Sequence, residues 1–143
     1  MLISPSMDWA QTHTGPESSM ERNSRSDYVH AVVESGYTRR ALTGSLPEDT
    51  AAKSAWISPG SLEAEWHPGM FSGFPRTVIV AGGAEYTLDG MRTVRDRLIE
   101  DNEKGRITYI EQPEALHDVL ILEFHEPERT EALTELAGWA KTL

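Results

Sequence analysis

At 143 residues with 38% apolar composition, the chain is sized for one domain with an ordinary core rather than two. A formal charge of −10, from 23 acidic against 13 basic residues, opposes a nucleic acid backbone or an anionic membrane surface as partner. The absence of cysteine removes disulfide and thiolate chemistry, and fits a cytoplasmic protein better than a secreted one.

Along the chain, "MLIS" (1–4) is a short apolar run stopped by Ser4, Pro5 and Ser6, which predicts a first strand within residues 1–8. Residues 10–26, "AQTHTGPESSMERNSRS", carry little apolar periodicity and are expected to be surface loop. In "SDYVHAVVESGY" Ser26 or Asp27 can cap a helix whose Tyr28, Val29, Val32 and Val33 share one side, and Gly36 would help end it. Four prolines between residues 44 and 75 (Pro47, Pro59, Pro68, Pro75), with Trp56, Trp66 and Phe71 scattered among them, predict irregular structure pinned by aromatics. Residues 9–75 therefore read as a lid-like segment of short helices and irregular chain.

From residue 76 the pattern turns regular. "RTVIVAG" (76–82) is a β-branched run ending in glycine, and "LDGMRTVRDRLIEDN" then sets Leu88, Met91, Val94 and Leu98 at helical spacing. "GRITYIEQP" (105–113) predicts another strand ended by Pro113. "PERTEALTELAGWAKTL" (127–143) predicts a helix with Pro127 and acids in its first turn, and with Leu133, Leu136, Ala137 and Ala140 on one face. The result is a βαβα unit in an α/β fold of about three parallel strands with flanking helices. The apolar stretch "TVIVAGGA" (77–84) falls far short of the roughly 20 residues a membrane helix needs, and "MLISPSMDWA" lacks the pattern of a signal peptide.

Ligands of parallel α/β sheets gather at the carboxyl ends of the strands. Two polar residues are expected there: Glu85 in "GGAEYTLD" after one strand, and His117 in "EQPEALHD" after the next. If those strands are neighbours, the carboxylate can reach an imidazole nitrogen, the geometry in which an acid orients a base. Asp89 is the rival acid, expected instead to cap or pair within its helix, and Asp118 is expected to be structural. His13, His30, His67 and His125 lack such a context and are read as surface or packing histidines. The glycines of "AGGAE" are only a weak anion-loop signal, because G-x-G-x-x-G and G-K-[ST] are both absent and acids follow.

These segments resemble the α/β-hydrolase fold, specifically the hormone-sensitive-lipase-like esterases. "EYTLD" (85–89) is similar to the family's acid motif D-P-L-x-D, "LHDVL" (116–120) to its histidine loop, "LISPSMD" (2–8) to the strand after its nucleophile helix, and "WISPGS" (56–61) to the return from its lid. The resemblance spans nearly all of the chain and about the last half of the family's fold. It implies Glu85 as the acid and His117 as the base of a carboxylic ester hydrolase, with a small ester as substrate and with no metal or organic cofactor. Two departures stand out: Glu85 occupies a position where the family usually has Asp, and neither the G-x-S-x-G elbow nor the H-G-G-G oxyanion loop occurs. The nearest serine, Ser72 in "GMFSG" (69–73), lacks the strand-turn-helix setting of a nucleophile. The isolated chain is accordingly expected to be inactive on esters.

The resemblance also implies an N-terminal half absent from this sequence, so that the first strand is expected to expose a bare edge able to self-associate or to pair with that half. The alternative is a non-catalytic α/β module that binds a partner through this edge. Trp9, Trp56, Trp66 and Phe71 are read as core or lid packing, with lining of an acyl pocket as the functional alternative.

Overall fold

A computed structural model describes residues 1–143. Its centre is a parallel sheet of three strands in the order β1-β2-β3: β1 (Leu2–Ile3), β2 (Thr77–Gly82) and β3 (Ile107–Gln112). Every residue of β2 is buried, as a central parallel strand covered on both faces requires, and this is why "TVIVAG" reads as a continuous rather than an alternating apolar run.

The period of two then sorts the core. Val78 and Val80 of β2 and Ile110 of β3 face helix α6 (Glu128–Ala140), packing with Ala115, Val119 and Ala132. Ile79 and Ala81 face the opposite way onto α5 (Leu88–Asp101), where Leu88, Met91, Val94 and Leu98 form the buried stripe. Leu2 and Met7 join this second layer at the β1 side. The register Leu2↔Ile79 and Gly82↔Gln112 brings the carboxyl ends of all three strands to one rim of the sheet.

Between β1 and β2 the chain makes four short helices: α1 (Ser19–Arg22), α2 (Val29–Glu34), α3 (Tyr37–Thr43) and α4 (Thr50–Lys53). The expectation that residues 10–26 form surface loop holds for most of the segment and is corrected at α1. Ser18 and Ser19 are buried, as is Asp27 just beyond, and α1 starts with the Ser18 hydroxyl accepting the Glu21 N–H. The segment escapes hydrophobic periodicity because its buried residues are polar and their burial is compensated by hydrogen bonds rather than by apolar packing. In α2 only Val29 of the expected stripe is buried, and Val32 is half exposed.

A second correction concerns α6. Its inward face is Ala132, Leu136 and Trp139, whereas Leu133, Ala137 and Ala140 turn outward. Both sets fit helical spacing, and the one that carries the large Trp139 ring takes the sheet. Residues 54–76 are irregular, held by hydrogen bonds to the carboxyl end of α5: Asp101 accepts the N–H groups of Gly69 and Phe71, and Asn102 accepts that of Phe74. No helix is long and apolar enough to cross a membrane.

Candidate functional site

At the carboxyl rim, the turn after β2 and the turn after β3 lie directly against each other. Ala84 donates its N–H to the carbonyl of Ala115 at 3.0 Å, and Gly83 donates to that of Gln112 at 2.7 Å. Gly82 and Gly83 make this contact possible. A methyl at Gly82 would come within 2.9 Å of the Leu116 carbonyl oxygen and closer to that of Ala115, and one at Gly83 within 2.8 Å of the Pro113 carbonyl carbon. The glycines of "AGGAE" thus serve backbone approach, and the space an anion would need is filled by residues 113–116.

The two sequence-derived site residues meet across this contact. Glu85 is completely buried, and its Oε2 accepts from Nδ1 of His117 at 2.9 Å; the His117 side chain is 14% exposed. A carboxylate can only accept here, so Nδ1 carries the hydrogen and a neutral ring keeps its lone pair on Nε2. The other carboxylate oxygen, Oε1, accepts from the Gly82 N–H at 2.6 Å and from the Ser4 hydroxyl at 2.7 Å. Three donors on one buried carboxylate compensate the loss of water.

Around the pair, residues 18–30 act as a strap. Asn23 donates to the carbonyls of Glu85 and Gly83, Asp27 accepts the Tyr86 N–H at 2.6 Å, and the Ser19 hydroxyl donates to the Tyr86 carbonyl. Tyr28 sets its ring edge-on to His117 at 5.9 Å and donates its hydroxyl to the His117 carbonyl. Sequence reasoning missed Ser4, Asn23, Asp27 and Tyr28 as site residues. The one available signal was Ser18-x-x-Glu21, a helix-start spacing that argues against plain loop.

Asp89 lies apart from His117. It accepts the Ser19 N–H at 2.7 Å and pairs with Arg92, so it caps the neighbouring α1 rather than its own helix. Asp118 sits in the left-handed region (φ 59°), with Oδ2 3.8 Å from Nε2 of His117. Of the remaining histidines, His125 accepts the Leu116 N–H and pairs with Glu128, buttressing the His117 turn. His13 bonds the Gly60 carbonyl, His30 packs on Tyr86, and His67 is exposed. Ser72 lies in the segment fastened to the carboxyl end of α5, at Asp101, whereas Glu85 precedes the amino end. A helix of that length separates the two by roughly 20 Å. No group of three or more His, Cys, Asp or Glu residues is disposed to hold a metal ion.

Burial of the His117 ring works against its protonation, but the hydrogen bond and charge of Glu85, with Asp118 and Asp27 behind, prevail and raise its pKa above the ordinary histidine value. A raised folded pKa means that the stabilisation is fully present below the unfolded value of about 6.5 and is lost as pH rises through the folded pKa. Urea denaturation of the parent chain and of His117→Asn is therefore expected to show its largest gap at pH 6 and a smaller one at pH 9. A gap that widens with pH would show that the ring is held neutral.

No protein-family model, curated protein or solved structure matches the chain.

Proposed function

We propose that residues 1–143 supply the acid and base of a carboxylic ester hydrolase of the α/β-hydrolase type, similar to hormone-sensitive-lipase-like esterases, and that the serine nucleophile comes from polypeptide outside these residues. The observation that carries this reading is the 2.9 Å bond from His117 Nδ1 to the buried Glu85 carboxylate, made between turns at the carboxyl ends of adjacent parallel strands. In that role Nε2 of His117 takes the serine proton as the hydroxyl oxygen attacks the ester carbonyl, then returns it to the departing alcohol. Glu85 holds the tautomer that leaves Nε2 free and stabilises the imidazolium between the two steps. Because Glu85 raises the pKa of His117, a rate that depends on the neutral base would climb with pH through that pKa.

A second reading is favoured by one feature. β1 is an edge strand of only two residues, beside an apolar cavity of about 180 Å³ between Leu2, Trp56, Phe71 and Leu98. A non-catalytic module that adds a partner's strand at this edge would use these groups and leave His117 idle.

The test reads the transcript upstream of the Met1 codon for an in-frame G-x-S-x-G and assays both lengths of protein on a p-nitrophenyl ester. Residues 1–143 alone are expected to show no turnover above a His117→Ala control. The extended chain is expected to be active and to lose on the order of 10⁶-fold in kcat with His117→Ala. Turnover by residues 1–143 with an acyl group trapped on Ser72 would replace this reading by one with an internal nucleophile. An extended chain whose activity ignores His117→Ala would end it.

A further inference from the structure

Resting on the acid–base reading of Glu85 and His117, we propose that Ser4 is a positioning residue for the pair, its hydroxyl fixing the carboxylate from one side and the histidine turn from the other. The backbone of Ser4 continues the β1–β2 ladder by donating its N–H to the Val80 carbonyl at 2.8 Å. It then turns into the left-handed region (φ 40°), where L residues other than Asn, Asp and His are uncommon. That turn aims the hydroxyl inward, and Ser4 is 4% exposed.

There Oγ does two things with one polarity. It donates to Glu85 Oε1 at 2.7 Å and accepts the N–H of Asp118 at 2.9 Å. Asp118 follows His117 and is itself left-handed (φ 59°). Two unusual backbone conformations, separated by 114 positions in sequence, thus face each other across one hydroxyl. With Oε1 occupied by Ser4 and Gly82, Oε2 is the oxygen left for Nδ1, and the residue beside His117 is tied to the same point. A donor chain of this kind polarises along its length, so its members support one another. Glycine would suit the dihedral better than serine. A purely structural turn has no need of the hydroxyl.

The experiment follows the imidazole of the full chain by NMR titration in Ser4→Gly and Ser4→Ala. Glycine relieves the backbone and alanine keeps its strain, so the two differ in stability but both lack the hydroxyl. In both, the His117 midpoint is expected to move down toward the ordinary histidine value and the Asp118 amide to exchange faster by on the order of tenfold. An unmoved His117 midpoint in Ser4→Gly overturns the proposal. So does a shift in Ser4→Ala alone, which would trace the effect to backbone strain. If neither variant folds, the unsubstituted chain still decides: an Asp118 amide that exchanges as fast as an open turn overturns the proposal, and a protected one supports it. Glu85→Gln separates this proposal from the reading beneath it. If His117 ignores Glu85→Gln, the acid–base reading fails; if it responds to Glu85→Gln but not to Ser4→Gly, only the role of Ser4 fails.

Discussion

Replacing Glu85 with alanine is expected to destabilise the chain by about 2–4 kcal/mol, a large fraction of the 5–15 kcal/mol that holds an ordinary domain together. The cost has two sources. The Gly82 N–H, which donates to Oε1 in a fully buried place, loses its acceptor, and an unsatisfied buried donor costs about 1–3 kcal/mol. The Ser4 hydroxyl and Nδ1 of His117 lose theirs as well, although a hydroxyl can rotate and an imidazole can release its proton. Truncating a completely buried side chain adds a cavity term. Glu85→Gln separates these sources, since it keeps the volume and one acceptor oxygen for Gly82 but removes the charge that raises the pKa of His117. Urea unfolding should therefore rank the stabilities parent, then Gln, then Ala, while His117 falls toward its ordinary pKa in both variants. An alanine variant as stable as the parent would mean that the carboxylate offsets nothing and is kept for chemistry alone.

The βαβα unit was legible because each element carries a local signal, a continuous β-branched run or a helical period, strong enough to survive without tertiary information. The continuous β-branched run of β2 and the Leu88, Met91, Val94, Leu98 stripe of α5 specify both the element and the face it buries. In α6 the period was legible but the face was not, because two apolar stripes compete and the sheet selects the one holding Trp139. The candidate pair was legible for a topological reason. Glu85 and His117 each follow a strand, and parallel neighbours must bring those turns together. Ser4, Asn23, Asp27 and Tyr28 were not legible, since they come from segments distant in sequence and act through one or two long-range hydrogen bonds each, which no local pattern records. Polar residues without periodicity read as solvated loop. Ser19 is buried instead, as is Asp27, which was read as a helix cap, because the turn around Glu85 has backbone groups that need partners, and those residues provide them.

The same contact between turns makes Gly82 the position where the smallest added group should do the most damage. Gly82→Ala adds one methyl, yet that methyl meets the carbonyls of Ala115 and Leu116, which are backbone and cannot rotate away as a flexible side chain could. The neighbours cannot yield singly. Ala115 is tied to Ala84 and Gln112, and Leu116 to His125, so relief requires the two turns to part as units. Overpacking of this kind costs typically 1–3 kcal/mol, and with backbone on both sides Gly82→Ala is expected at or above about 3 kcal/mol. Parting the turns also lengthens the path from Glu85 to His117, so the raised pKa of His117 should fall together with stability. Gly83→Ala should act through the same separation, and the double variant should cost less than the sum, because turns once parted no longer clash. Gly138, inside α6 with nothing near its added methyl, gives the opposite sign: Gly138→Ala should stabilise by about 0.5–1 kcal/mol. Chemical denaturation of the four variants, with the His117 titration recorded for each, distinguishes a general dislike of added volume from separation of the two turns. Only the latter lowers stability and the His117 pKa in step at Gly82 and Gly83 while leaving the pKa untouched at Gly138.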